Sequence, residues 1–349
     1  MTGTDIKNTV TPAYLSGLLD TKITEVVALE GGRNSRAYMA NGNDGRKFAI
    51  KSYLGLTADG RSRMDGEYTA LTFLAGNGVA NVPSPVKTDP ELQLAVYEFI
   101  EGMPVRSSEV TDQDIDQSSE FLAGLYRIKD ASGSADLPTA AEACFSLGSL
   151  FENIQTRLDR VSGSSVHPGL KAFLDDGFSP TFEGLKGWST KSLSKSGMTP
   201  GDHLSQGMRT LSPSDFGFHN CLRVPGGSLA FLDFEYFGWD DPAKMVSDFL
   251  LHPGMDLTLV HKHRFLDNIP KGFSDYPALL DRTKTMYPLY ALKWSLILLN
   301  EFIPEVLNRR GYANLDSPEV TGLQQRQLAK SKKMLNHIKN YPEGFPYDG

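Results

Sequence analysis

Residues 211–242 read LSPSDFGFHN (211–220), CLRVPGGSLAFL (221–232) and DFEYFGWDDP (233–242). Leu222 and Val224 on one side of Pro225-Gly226-Gly227, and Leu229, Phe231 and Leu232 on the other, predict a β-hairpin between two loops. Pairing Val224 with Leu229 and continuing the ladder outward sets Asn220 opposite Asp233, with Asp215 five residues before Asn220 in a loop that folds back over the same point. Taken singly, Asp215 would suit a turn, Asn220 a cap and Asp233 a solvated strand end. Together they bring two carboxylates and an amide to one spot. Such oxygen donors suit a hard cation such as Mg²⁺, best when phosphate oxygens complete its shell.

The spacing Asp-x4-Asn, then a hairpin, then Asp-Phe-Glu resembles the catalytic loop and metal-binding segment of the protein-kinase-like fold. With Glu235 two residues after Asp233, DFEYFGWDDP is similar to the aminoglycoside phosphotransferase and choline kinase branch of that fold.

Working toward the N-terminus, Lys47–Tyr53 reads as a strand with Phe48 and Ile50 on one face and Ala49 and Lys51 on the other. A small residue beside a lysine leaves room for a flat base, with the ammonium reaching toward phosphates. Ala49-Ile50-Lys51 also matches the Val-Ala-Ile-Lys strand of kinases. From Arg63 to Leu74 the apolar period is helical, and Glu67 falls on or beside the apolar face. A buried carboxylate needs a partner, and Lys51, sixteen residues earlier, is the expected one. Before this strand, Glu30-Gly31-Gly32-Arg33-Asn34 joins two strand-like segments; it suits either an ordinary hairpin turn or a phosphate loop, and Gly31, Gly32 and Asn34 are similar to the looser phosphate loop of the aminoglycoside-kinase branch. Segments 82–86 and 92–100 complete an antiparallel sheet.

The resemblance implies an α+β, bilobal protein-kinase-like fold: an N-lobe antiparallel sheet with one helix, and a larger, mainly helical C-lobe. The lobe boundary is expected near residue 102, giving a nucleotide-binding lobe over 1–102 and a catalytic and substrate-binding lobe over 103–349. It also implies ATP and Mg²⁺ as cofactors, backbone groups near Glu98 and Ile100 on the adenine edge, Asn220 and Asp233 on the metal, and Asp215 as the catalytic base. The implied reaction moves the γ-phosphate to a hydroxyl of a small molecule, whether sugar-like, an aminoglycoside or an amino-alcohol. Glu235, Trp239 and Asp240 suit substrate contacts or, equally, packing and capping. One departure is Pro213, where the family carries a His two residues before the catalytic Asp. It keeps open a nucleotide-binding pseudokinase or scaffold.

The remainder is read more coarsely. Helices are expected over 112–130 and 147–161, an irregular insertion over 163–202, and helices through the last hundred residues. Tyr287, Tyr290 and Trp294 form a stripe better suited to core than to a substrate cage. With a net charge of −7 over 349 residues and no Lys/Arg run, nucleic acid is not an expected partner. With only Cys144 and Cys221, far apart and with no Cys-x-x-Cys or Cys/His cluster, neither a disulfide framework nor a zinc site is expected. Neither a signal peptide nor an 18-residue apolar run is present, so a cytoplasmic protein away from membranes is expected.

Overall fold

The computed structural model describes residues 10–29, 35–57, 60–164, 167–312, 314–315, 317–338 and 345–346. Contacts divide the chain into two compact units, one of Met1–Glu109, Arg127–Ala141 and Pro213–Gly238, the other of Val110–Tyr126, Glu142–Ser212 and Trp239–Gly349.

In the first unit, helix α1 (Pro12–Leu19) precedes strands β1 (Ile23–Ala28), β2 (Ser35–Gly42) and β3 (Lys47–Tyr53). Helix α2 (Arg63–Gly76) and strands β4 (Pro85–Asp89) and β5 (Leu94–Glu98) follow. The five strands form one sheet in the order β1-β2-β3-β5-β4, and every neighbouring pair is antiparallel. The alternation read in β3 holds. Phe48 and Ile50 enter a core with Leu15, Ile23, Tyr38, Leu94 and Val96, while Ala49 and Lys51 are half-buried on the other face. Thr11 accepts a hydrogen bond from Tyr14 N–H and so caps α1, and Ser62 does the same for α2 through Asp65 N–H.

A second, three-stranded sheet of the same unit contains Met103–Pro104 and the hairpin Cys221–Arg223 with Leu229–Phe231. The hairpin exists as read, with its register one residue away from the expected one. Val224 N–H donates to Ser228 rather than pairing with Leu229, and Leu232 N–H donates to Asn220. The connection is Pro225-Gly226-Gly227 alone, closed by Gly227 N–H on Val224 C=O. Gly226 and Gly227 both have left-handed φ, 98° and 88°, which only glycine adopts without strain and which lets three residues reverse the chain.

The second unit is helical, built around Leu279–Leu298. Tyr287, Leu289, Tyr290, Ala291 and Leu292 of this helix are buried, and Pro242–Leu251 and Pro318–Ile338 pack against it. Tyr287 and Tyr290 thus belong to the core. The expected helix over 147–161 is present as Leu147–Ser164, whereas the expected irregular insertion over 163–202 is a correction: Pro168–Ala172 and Ser179–Ser194 are α-helices, and Phe173–Phe178 is a π-helical turn. Phe178, Phe182 and Leu185 are buried there, so packing holds a segment whose Gly and Ser content disfavours helix.

Candidate functional site

Strand β3 and helix α2 place Lys51 and Glu67 side by side. Lys51 Nζ donates to Glu67 Oε2 at 2.6 Å and to Asp233 Oδ1 at 2.9 Å. Burying Glu67, whose side chain is 2% exposed, would be costly without donors. It has three: Lys51, the Tyr53 hydroxyl at 2.7 Å and the Phe234 N–H at 3.3 Å. Burial opposes the charge on Lys51, yet Glu67 and then Asp233 outweigh it and hold the ammonium pKa above its ordinary value. The Tyr53 and Tyr97 hydroxyls, 2.9 Å apart, are pushed well above the usual tyrosine range by burial and by the Glu67 charge. A Cβ at Gly66 would lie 3.1 Å from the Glu235 carbonyl oxygen, so α2 approaches the loop after Asp233 closely. That approach lets Phe234 N–H reach Glu67.

The hairpin brings the other acceptors. Because Leu232 N–H donates to Asn220 C=O at 2.9 Å, Asn220 and Asp233 stand one residue out of step at the open end of the ladder. Asp233 itself takes a left-handed φ of 66°, which ends the strand and turns its side chain toward Lys51. Ser214, with φ 67°, makes the matching turn in the preceding loop, where its hydroxyl donates to Ala141 C=O at 2.9 Å. Asn220 Nδ2 donates to the Asp215 carbonyl at 3.0 Å and folds the loop back over its own start. Asp215 Oδ1 lies 3.0 Å from His219 Nε2.

The structure therefore unites Lys51, Glu67 and Asp233 directly, and Asp215 with Asn220 through the loop. Glu235 lies elsewhere: its side chain is 2% exposed and accepts from Arg63 Nη1 at 2.6 Å, the same nitrogen that donates to the Tyr236 hydroxyl at 2.6 Å. In the second unit Asp240 is wholly buried and accepts from Lys244 Nζ at 2.7 Å, and Trp239 is buried. Asp248 pairs with Lys244 at 3.1 Å and accepts from Trp294 Nε1 at 2.8 Å. Of the backbone donors expected on an adenine edge, Glu98 N–H goes to Ser84 and Phe99 N–H to Lys47. Ile100 N–H has no partner among the described residues. Ala49 lies in β3 between Met39 and Tyr97. Gly31, Gly32 and Asn34 lie outside the described residues, and the strands flanking them are paired up to Ala28 and Tyr38. His219 was not read from the sequence. Its signal was there: a His four residues after Asp215, inside one tight turn ending at Asn220.

No family model matches the chain, and no curated protein matches it. Solved structures do. A choline/ethanolamine kinase family protein from Mesorhizobium loti is 15% identical at TM-score 0.61, with 97% of this chain and 95% of that one covered. The choline kinase of Streptococcus pneumoniae is 18% identical at TM-score 0.58, covering 95% of this chain and 99% of its own. A spectinomycin phosphotransferase, solved with ADP and spectinomycin, is 13% identical at TM-score 0.60, covering 93% and 97%. The chain has the protein-kinase-like fold of these structures.

Proposed function

We propose that this protein is an ATP- and Mg²⁺-dependent phosphotransferase that moves the γ-phosphate to a hydroxyl of a small molecule. The observation that carries this reading is Lys51, bonded at once to Glu67 from α2 and to Asp233 from the end of the hairpin. A lysine aimed by a buried glutamate and joined to a metal-binding aspartate is what holding a nucleoside triphosphate requires. The structural neighbours, small-molecule kinases, support the same chemistry. On this reading residues 1–102 carry the nucleotide, with Gly31, Gly32 and Asn34 on phosphates, Ala49 under the base and Ile100 N–H on its edge. Residues 103–349 carry the acceptor, and the protein works in the cytoplasm where ATP is available.

The donor set fits a hard cation. Asn220 uses its Nδ2 on the Asp215 carbonyl, so its amide oxygen is left without a partner among the described residues. Asp233 engages Lys51 through Oδ1, which leaves Oδ2 in the same state. Two uncommitted oxygens from adjacent positions suit Mg²⁺ sharing its shell with phosphates. When bound, the ion would neutralise charge on the transferring phosphoryl group. Lys51 steadies the α- and β-phosphates, and Glu67 keeps it there. Asp215 orients the acceptor hydroxyl and takes its proton, with His219 fixing the carboxylate. Positioning and electrostatics supply most of the rate. The acceptor is a sugar-like alcohol, an aminoglycoside or an amino-alcohol.

Pro213 favours a second reading, nucleotide binding without transfer. The contact of His219 with Asp215 weighs against it, because it restores an imidazole to the loop from the other side of the aspartate. A thermal-shift titration with ATP and Mg²⁺ tests the first step, since a ligand of the native state raises its melting temperature. Wild type and Asp215→Ala should both shift. Only wild type should then release ADP with a panel of amino and sugar alcohols. No shift in either protein sinks both readings, and a shift without turnover on any acceptor leaves the pseudokinase.

A further inference from the structure

A cavity of about 720 Å³ lies wholly inside the second unit and shares no residue with the Lys51 site. Four pieces build it: the start of helix Leu147–Ser164, the end of helix Ser179–Ser194, the connection over 195–208, and the start of helix Leu279–Leu298 with Tyr276 just before it. Its size falls in the range of small-molecule sites. Trp188, Leu193, Met198 and Met208 remain half-buried around it, and Tyr276 and Met286 are buried in its wall. Large apolar groups held partly open around a concavity mark a binding surface, and three methionines let that surface adapt to the shape of a guest. The two helices are tied at the cavity by the Ser192 and Thr285 hydroxyls, 3.3 Å apart.

The charge around it has a sign. Lys195, His203 and Lys284 are exposed there, and Asp281 is the one acid among the lining residues. Arg282 also lines it, but its guanidinium is committed to Asp241 at 2.5 Å and 2.8 Å and serves as wall. Lys284 pairs with Asp281 at 3.8 Å, and Lys195 adds a further positive charge, so the rim carries a net positive charge that disfavours an ammonium and favours an anion. An aromatic and methionine-lined interior takes a flat apolar body.

We propose that this cavity is a second binding site, for a small flat apolar or aromatic molecule carrying one anionic group. The inference does not rest on the phosphotransferase reading. Cationic acceptors such as amino-alcohols and aminoglycosides are unsuited to it, so it is separate from any acceptor site for them.

The probe is 8-anilinonaphthalene-1-sulfonate, a flat aromatic anion, titrated into the full chain with saturating ATP and Mg²⁺ present. Its uncharged relative N-phenyl-1-naphthylamine runs in parallel. Saturable one-to-one binding is expected. Ser192→Trp, which fills the cavity between the two helices, should weaken both probes about tenfold or more. Lys195→Glu with Lys284→Glu changes two exposed side chains and should weaken the sulfonate about tenfold while leaving the neutral probe within about twofold. Absence of saturable binding overturns the proposal, as does sulfonate binding that ignores the charge reversal. If Ser192→Trp fails to fold, the charge-reversed variant still decides.

Discussion

Two clusters of lysine and carboxylate, one in each unit, differ in how they are assembled. In the second unit Asp240 ends a strand just before the helix Pro242–Leu251, and Lys244 and Asp248 stand one turn apart on that helix, so residues within nine of one another close a ladder with contacts of 2.7 Å and 3.1 Å. Their exposure is 0%, 1% and 11%, and the charges are spent on each other. In the first unit Lys51 meets Glu67 sixteen residues away and Asp233 one hundred and eighty-two residues away. There Asp233 stays 34% exposed and keeps an oxygen without a partner among the described residues. A cluster that residues close in sequence complete among themselves is scaffold. One gathered from distant segments, with acceptor capacity left over, is equipped to bind.

The comparison can be broken most severely at Lys244. Lys244→Met leaves two buried carboxylates without their cation and should destabilise the protein by about 3–5 kcal/mol in denaturant unfolding at pH 7.5. Burial already pushes the Asp240 carboxyl up to about 6 despite Lys244. Without the lysine it rises further, and an acid whose folded pKa is raised loses stability as pH climbs. The deficit should therefore shrink at pH 5, and a deficit that grows there would contradict this account.

Asp233→Asn is the counterpart in the first unit. It should leave unfolding free energy within about 1 kcal/mol of wild type, as for a partly exposed pair. It should also remove the Mg²⁺-dependent part of nucleotide stabilisation, worth about 2.7 kcal/mol at a hundredfold excess over Kd. Equal losses of fold stability in Asp233→Asn and Lys244→Met would erase the distinction between the clusters. His219→Ala should lower turnover about tenfold, the scale of one hydrogen bond to a charged group, with KM for ATP unchanged. His219→Asn, which can still donate, should recover part of that loss; a change confined to KM would assign His219 to nucleotide binding instead.

The smallest effect concerns Glu142, in the second unit. Burial works against its charge, but Lys293, then Arg157 and Asn153, hold its carboxyl well below the usual range. A lowered folded pKa contributes stability that is present above about pH 4.5 and lost as pH falls. Glu142→Gln should flatten the acid limb of a melting-temperature profile below that pH, and an unchanged limb would show the pairs contribute nothing.

How much of this could be read from residues alone follows the range of the interactions. β3 and α2 were legible because a strand alternates every two residues and a buried carboxylate demands a cation, which named Lys51 and Glu67 together. The hairpin was legible, and its register was not. A three-residue turn pairs Val224 with Ser228 and a four-residue one with Leu229, and nothing in Pro225-Gly226-Gly227-Ser228 itself separates the two. Glu235 and Asp240 look like substrate groups until Arg63 and Lys244 are seen to consume them. The helices between 163 and 194 escaped because their stability comes from tertiary contacts of Phe178 and Phe182, while Gly and Ser content signals a loop.

The tip of that hairpin offers a practical handle. A side chain at Gly226 or Gly227 would meet nothing within 4 Å, while the strands behind them end at Cys221, next to Asn220, and at Phe231, two residues before Asp233. A short tag or a dye-bearing peptide spliced between the two glycines would ride outside the packed structure. It would still be joined by two three-residue strands to the positions proposed to hold the metal. The molecule carries its own port for a reporter, at a place where installing one leaves the chemistry alone.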